Sequence, residues 1–454
     1  MNTYQDLMEH IGKEDLQDYV YSIIMNHKLS NLHRNAEIAY DYYLRKNRTI
    51  SEYRKLLYTL SGEAVVDNYS ANHKFSNGFF PLFIKQQVSY LLGNGATFND
   101  DKTKEKLGGE KFDNQLTKLA KASLWGGVAF GFFNLDHIDV FTILEFAPLP
   151  DEENGALRAG VRYWQIDDSK PLRATLYTEE GYIEYMWKDG EKSIVKPLTP
   201  YKQIVQTTAF DGTEIIDGEN YPAFPIVPLW GNEEHQSELL GLREKIDGYD
   251  LIESGFANDL DDASQIYWIL QNAEGMDDID LAQFLERLHV LKGAVVDGNA
   301  NAEAHTIEVP HEARMQMLTE LKESLYRDAM ALDTDKISAG AITATAIKAA
   351  YENLSLKCDD FEICVTDFIY HILQLAGIDD APTFKRSQVV NMAEDTQMIL
   401  SAAQYLDDET IINLLPFINV DMIQDILKRR DREEVSRFED ELNGQGEEVD
   451  GQEA

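Results

Sequence analysis

The sequence predicts an α+β fold in which long helices flank an antiparallel sheet, and two changes of hydrophobic period support this. Residues 126–230 alternate apolar and polar side chains between turn signals such as DEENG (151–155), a pattern typical of short antiparallel strands. From Leu239 to Leu260 the apolar residues instead recur every three or four positions, which predicts one long amphipathic helix. With 44% hydrophobic residues, the chain of 454 residues has ample material for a core.

The segments before the sheet are predicted to be helical. Residues 1–62 are polar and contain tyrosines among charged residues, which suggests helices packed on a partner surface. Residues 79–92 carry an apolar helix face, which the glycines of GNGATF (93–98) end. Another helix is predicted over 112–125.

After the helix near 239–260, residues 266–310 are predicted to form a compact α/β insertion. Its strands are IYWILQ, VLKGAVV and HTIEVP, and DGNANAE (297–303) is predicted as the turn between the last two. A second long helix follows from about His311 to Leu332, and the loop 333–342 ends it. A third, longer helix is predicted from about 343 to Gly377, with further helices beyond it to about 442 and an acidic tail.

The charge balance excludes several classes of protein. Lys and Arg number 41 against 80 Asp and Glu, so the formal charge is −39. Wrapping nucleic acid or binding anionic membranes requires clustered basic residues, so both roles are disfavoured. No signal peptide is expected at the charged N-terminus, and no apolar run approaches the ~18 residues of a membrane span. Cys358 and Cys364, if on one helix, lie roughly 9 Å apart along it and cannot form a disulfide bond.

No catalytic or cofactor motif is present in the sequence. GxxxxGK[ST], HExxH and GxSxG do not occur, and the glycines at 93 and 95 do not complete a dinucleotide fingerprint. The ten histidines have no metal-ligand spacing, and the acidic clusters lack the ligand pattern of an EF-hand loop. The sequence therefore predicts no catalytic residue, no cofactor and no metal, and a protein that is not an enzyme.

The long helix near 239–260 carries two further patterns. Glu244, Asp247, Asp250, Asp261 and Asp262 fall opposite its apolar stripe, which predicts a solvated acidic face. Gly241, Gly248 and Gly255 repeat every seven residues. Because glycine inside a helix costs about 1 kcal/mol, three on one edge suggest that another backbone approaches closely there.

Four segments, in this order, resemble the portal proteins of tailed bacteriophages, in particular the type of siphophages that infect Gram-positive bacteria. They are NHKFSNGFFPLFIKQQVSYLLGNGATF (72–98), LAKASLWGGVAFGFFNLD (119–136) followed by FAPLP (146–150), YPAFPIVPLWGNEEHQSELLGLREKIDGYDLIESGFANDL (221–260) and DKISAGAITATAIKAAYENL (335–354). The last segment departs from the pattern at Ala339, where the family often has Ser, and at Thr345.

The resemblance implies a portal fold divided into named regions. They are the wing (1–235, with strands within 126–230), two stem helices (236–265 and 311–332), the clip (266–310), the tunnel loop (333–342), the long wing helix (343–378), the helical crown (379–442) and an acidic disordered tail (443–454).

It also implies a structural function. Such proteins form a homo-oligomeric ring, usually a homododecamer, at one vertex of the capsid, where it serves as conduit for DNA packaging and ejection. The expected partners are the terminase large subunit, a head-completion or adaptor protein, the major capsid and scaffolding proteins, and double-stranded DNA in transit, with no membrane. The expected location is the virion, after assembly in the host bacterial cytoplasm.

Carried onto this sequence, the resemblance implies three sets of site residues. Asp333, Asp335, Lys336, Ile337 and Ser338 are expected in the tunnel loop, where Lys336 either contacts phosphate or pairs with a neighbouring aspartate. The stem acids Glu244, Asp247, Asp250 and Asp261 are expected to face the tunnel, where they would repel DNA phosphates within about 8 Å. Asp277, Asp278, Asp297 and Asn299 are expected on the partner surface of the clip.

Two alternatives remain open at the level of the sequence. One is a scaffold or minor capsid protein that assembles without a DNA tunnel. The other is an acidic intracellular hydrolase, for which any acidic chain supplies candidate carboxylates.

Overall fold

A computed structural model of the chain describes residues 2–58, 62–67, 70–208, 214–263, 267–271, 301–305, 311–335, 344–387, 392–415, 426–429 and 432. The chain divides into two compact units. Unit 1 comprises Met1–Ala331 and Leu354–Arg386, and unit 2 comprises Leu332–Asn353 and Ser387–Ala454.

Unit 1 begins with short helices, as the sequence predicts. They are α1 (Tyr4–His10), α2 (Leu16–Leu29), α3 (Asn31–Tyr43) and α4 (Arg48–Glu52). The side chains of Thr3, Ser30 and Asn47 accept hydrogen bonds from the first turns of α1, α3 and α4, so each of these three helices starts at an N-cap.

Short strands and three helices connect α4 to the main sheets. They are β1 (Leu56–Tyr58), β2 (Ala64–Val66), α5 (Phe79–Leu92), β3 (Ala96–Phe98), α6 (Asp101–Lys106) and α7 (Glu110–Gly126). The predicted helices at 79–92 and 112–125 are confirmed, the second beginning two residues earlier than expected.

The predicted antiparallel region consists of two sheets and a ribbon. Its strands are β4 (Val128–Asn134), β5 (His137–Thr142), β6 (Phe146–Pro150), β7 (Leu157–Trp164), β8 (Leu172–Thr178), β9 (Gly181–Lys188), β10 (Glu191–Thr199), β11 (Lys202–Thr208), β12 (Glu214–Glu219) and β13 (Ile226–Trp230). The five-stranded sheet has the order β10-β9-β8-β7-β6, the three-stranded sheet has the order β13-β4-β5, and β11 pairs with β12. All neighbouring strands are antiparallel.

Each of the two larger sheets has its own apolar core. Leu7, Val20 and Ile24 of α1 and α2 share one buried cluster with Val161 and Leu176 of the five-stranded sheet. The larger cluster joins α3, α5, α7, the three-stranded sheet and the buried residues between Phe361 and Leu375 of a later helix.

The second half of unit 1 contains the long helices. They are α8 (Arg243–Ala263), α9 (His311–Asp328) and α10 (Ala344–Ala376), the last of which begins in unit 2. The start predicted for α8 is wrong: the backbone from Leu239 to Leu242 forms turns, and Gly241 has φ +83°, a left-handed conformation that a helix does not contain. The predicted end of α10 is confirmed, because Gly377 (φ +68°) lets the Ile378 N–H bond to the Leu373 carbonyl at 2.9 Å.

Two short strand pairs differ from the predictions. β14 (Tyr267–Gln271) pairs with β15 (Asn301–His305), so residues 301–303 form a strand where a turn was expected. β16 (Pro382–Phe384) pairs with β3 in unit 1, so the segment after 379 is not helical throughout. Unit 2 contains α11 (Met392–Ala402), a 3-10 turn (Ala403–Tyr405) and α12 (Asp408–Leu414).

Candidate functional site

The helices α8 and α9 form an antiparallel hairpin within unit 1, and residues 264–310 lie between them in the sequence. Near its base, Lys245 Nζ contacts the Asp328 carboxylate and donates to Ser324 Oγ at 2.7 Å. Near its far end, Arg314 pairs with Asp259. These two contacts fix the register of the hairpin, whose helices lie within the two segments predicted as the stem; that role stays a prediction.

An extended segment, residues 73–77, runs along α8 through a ladder of hydrogen bonds. The backbone N–H groups of His73, Phe75 and Asn77 donate to Asn258 Oδ1 (2.6 Å), Ser254 Oγ (2.9 Å) and Asp250 Oδ1 (3.1 Å). Two residues of extended chain span roughly 6.6 Å and four residues of helix roughly 6 Å, so alternate backbone donors match every fourth helix residue. All three acceptor side chains are buried.

Asp250 lies at one end of this ladder. Besides the Asn77 N–H, its carboxylate accepts hydrogen bonds from the Asn77 side-chain amide and the Asn47 side-chain amide, both at 2.8 Å. The side chain is fully buried. Burial raises the pKa of the Asp250 carboxyl above its ordinary value of 3.8, although the hydrogen bonds from Asn77 and Asn47 act in the opposite direction.

One turn earlier, Asp247 binds the end of α3 and the start of α4. Tyr42 Oη donates to it at 2.5 Å, the Asn47 amide at 2.9 Å and Thr49 Oγ1 at 3.0 Å. Asn47, itself buried, therefore bridges both aspartates. Asp247 and Asp250 join α8 to the N-terminal helices.

The four predicted stem acids thus separate into two pairs. The expectation that Asp250 lies on a solvated face is wrong, and Asp247 is partly buried against its own chain. Glu244 and Asp261 are exposed, with Asp261 Oδ2 2.6 Å from His73 Nε2. The apolar period of α8 could not reveal this, because the groups that cover Asp250 lie about 170–200 residues away in sequence. Asn47 and Asn77 were missed for the same reason, and Ser254 and Asn258 were missed because their donors, the N–H groups of Phe75 and His73, are equally distant in sequence.

The other predicted site residues are only partly within the described structure. Asp333 and Asp335 are described, and the Asp335 N–H donates to Asp333 Oδ1 at 3.2 Å. Lys336, Ile337 and Ser338 lie outside the described residues, as do Asp277, Asp278, Asp297 and Asn299. Their expected roles stay predictions.

The glycine repeat has no partner within the described chain. A Cβ atom built on Gly248 or Gly255 would meet nothing within 4 Å, and Gly241 precedes the helix. Close packing against another backbone is therefore not met among the described residues, and it stays a prediction for a contact between copies.

The described part of the chain has no candidate metal site and no disulfide bond. No group of three or more His, Cys, Asp or Glu there could hold a metal ion. Among the described helices, none combines the length and the apolar character that a membrane crossing requires. Cys358 and Cys364 are both free, as expected, and burial raises the pKa of the Cys358 thiol to about 12.

Comparison with known proteins gives one family. The family described as phage portal protein, SPP1 Gp6-like, matches residues 22–436. The portal protein of Bacillus phage SPP1 is 24% identical over 442 residues, covering 88% of this chain and 82% of its own length. The portal protein of Clostridium phage phiCD119 is 25% identical over 410 residues, covering 82% of this chain and 88% of its own length.

Solved structures with a similar chain include two necks of gene transfer agent particles. The neck of the native particle, computed with C12 symmetry, has a TM-score of 0.41 at 12% identity and covers 76% of this chain and 91% of its own. The neck of the empty particle, computed with C6 symmetry, has a TM-score of 0.41 at 10% identity, with the same coverage.

Proposed function

Because the chain belongs to the family of SPP1 Gp6-like phage portal proteins, we propose that its copies form a ring at one vertex of a phage capsid and that double-stranded DNA enters and leaves through this ring. The observation that carries the proposal is the family match, which spans residues 22–436 and so covers most of the proposed wing and all of the proposed stem and clip. The ring is then a virion component, assembled in the host cytoplasm and most simply twelvefold.

The hairpin of α8 and α9 supports this assignment of regions. Its register is held by Lys245 with Asp328 and by Arg314 with Asp259, so the two helices hold the segment between them at one end. In a ring, that end is the docking platform for the terminase and later for the adaptor protein. Asp277, Asp278, Asp297 and Asn299 are the proposed contact residues in this segment.

Of the four predicted stem acids, only two are proposed to line the tunnel. Glu244 and Asp261 keep this role because they are exposed, whereas Asp247 and Asp250 hold α8 on the N-terminal helices. Carboxylates repel DNA phosphates within a Debye length of about 8 Å, so DNA slides past them without binding. The loop 333–342, with Lys336, is the proposed guide for the moving duplex.

In this function the chain performs no chemistry of its own. A separate motor supplies the work of translocation, and the ring acts as conduit, valve and docking platform. The capsid and scaffolding proteins are its proposed partners during assembly.

The first test is the state of the purified protein. We expect light scattering to give a mass near twelve times the subunit mass of 51.7 kDa. Negative-stain images should show closed rings with a central hole. A monomer, or assemblies without a hole, would contradict the proposal and would favour a hydrolase or a scaffold respectively.

The second test addresses the two proposed contact regions in the phage. Deleting residues 333–342 should change the length of packaged DNA, and normal full heads would exclude a role for the loop. The charge reversal Asp277→Lys with Asp278→Lys should weaken binding of terminase or adaptor. The matched control is Asp168→Lys with Glu180→Lys, which makes the same charge change at exposed positions of the five-stranded sheet region.

A further inference from the structure

The outer face of α10 in unit 1 carries an apolar line that the described part of the chain leaves exposed. The inner face packs into the core through Phe361, Val365, Phe368 and Ile372, whose spacing alternates between four and three residues. On the opposite side, Leu356 is 51% exposed, Ile363 55% and Tyr370 41%. Single exposed apolar residues are ordinary, but these three occur at intervals of seven.

Helix geometry places the three residues in one column. Seven residues turn the helix through about 700°, within roughly 20° of two full turns, and raise it by about 10.5 Å. Asp360 and Asp367, both exposed and also seven apart, form a second column beside the first. The outer face of α10 therefore presents an apolar column next to an acidic one.

The apolar column also borders a cleft. Ile363 and Asp367 line a cleft of about 740 Å³ together with Phe224, Ile226 and Trp230, which lie at or near β13. This helix is therefore apolar on two sides and borders a cleft on its exposed side. Exposed apolar surface of this kind is typical of a site where another protein binds.

The same chain has a face of complementary charge on α7. Lys111 and Lys118 are exposed and Lys121 is partly exposed, and with the exposed Asn114 they follow the spacing i, i+3, i+7, i+10 of a single helix face. Among the described residues none of these three lysines forms a salt bridge. Lys111 and Lys118 have the same axial separation, about 10.5 Å, as Asp360 and Asp367.

We propose that the lysine face of α7 in one copy of the chain docks on the outer face of α10 in the next copy. The inference rests on the proposed ring and names the contact between its subunits. Lysine stems can cover Leu356, Ile363 and Tyr370 while their ammonium groups reach Asp360 and Asp367. Because the two faces differ, the contact is head-to-tail, the kind of contact that generates a ring when its rotation closes.

A charge-swap experiment on the full chain tests the contact. Asp360→Lys with Asp367→Lys, and separately Lys111→Glu with Lys118→Glu, should each raise the subunit concentration at which rings dissociate by at least tenfold, measured by light scattering. The chain carrying all four substitutions restores opposite charges and should return to within about threefold of wild type. Asp168→Lys with Glu180→Lys is the net-charge control for the aspartate pair, and it should assemble like wild type.

The outcomes separate this inference from the proposed function. If wild-type rings form but the swaps match the control, or if the fourfold variant assembles no better than the double variants, the contact is wrong and the ring stands. The same result is expected if another segment of the same chain covers the outer face of α10. If the wild-type chain never assembles, both proposals fail. Circular dichroism of each variant shows whether its subunits are folded.

Discussion

The helices α8 and α10 are both long, and both lie against the core of unit 1, but different forces hold them. The inner face of α10 is apolar, and Phe368 packs so closely on β4 that a Cβ atom on Gly131 would lie 2.5 Å from its ring. The packed face of α8 is instead largely polar: Asp250, Ser254 and Asn258 are buried and accept backbone hydrogen bonds from residues 73–77. Burial of a charged residue is tolerated where the chain supplies a full set of donors.

The largest effect is expected on the apolar side of the comparison. Phe368→Ala should lower the free energy of unfolding by about 3–5 kcal/mol, because it removes a fully buried ring and leaves a cavity at Gly131. Urea denaturation measures it. Tyr370→Ala, on the exposed face of the same helix, is the control and should cost well under half as much in the dissociated subunit.

A substitution on the polar, packed face of α8 should give a smaller loss of stability. Asp250→Ala leaves the Asn77 N–H without its acceptor and removes one hydrogen bond from each of the Asn77 and Asn47 side-chain amides, which keep Glu253 and Asp247, so we expect a loss of about 2 kcal/mol. Glu244→Ala, on the exposed face of the same helix, should change stability by less than about 0.5 kcal/mol. Equal losses for the two variants would show that the ladder does not hold α8.

A substitution at Gly255, on a face of α8 that the described chain does not cover, should raise the stability of the subunit instead of lowering it. Gly255→Ala adds a methyl group where the described chain has nothing within 4 Å, in a helix interior where alanine is favoured over glycine. We expect the unfolding free energy of the subunit to rise by about 0.5–1 kcal/mol. A subunit that is stabilised but assembles less well would support the predicted close approach of a neighbouring copy; destabilisation of the subunit itself would contradict the open site.

The smallest effects are expected from changes of pH, and they test how burial shifts the pKa of a carboxyl group. Asp380 also accepts several donors, from Thr103 and the backbone at Ala381, Asp100 and Asn99, and these lower its pKa to about 2. Asp250 has its pKa raised, because burial outweighs its hydrogen bonds. Two carboxylates with similar donors therefore shift in opposite directions.

The sign of each pH dependence follows from linkage. For Asp380 the folded-state pKa lies below 3.8, so its contribution is present above 3.8 and is lost as the pH falls toward about 2. For Asp250 the folded state holds its proton more tightly, so stability falls as the pH rises from 3.8 through the raised pKa. Unfolding free energies of wild type, Asp250→Asn and Asp380→Asn across this range should show differences of opposite slope, and a common slope would contradict the argument.

The sequence by itself determined much of this protein. The alternation in 126–230, the three-and-four spacing of the long helices and the end of α10 at Gly377 are all patterns of neighbouring residues, so they could be predicted directly. The resemblance of four ordered segments also gave the family, which the match over 22–436 confirms. Local patterns suffice for these elements because apolar residues recur along each of them with the period of a strand or a helix.

Only the tertiary structure decided how the stem acids are used. Asp250 and Glu244 look alike in the sequence, both acidic and both off the apolar stripe, yet one is buried and the other exposed. What separates them is the arrival of Asn47 and Asn77 from distant parts of the chain. Whether a carboxylate faces solvent or a set of donors depends on contacts distant in sequence, and no period along one helix encodes them.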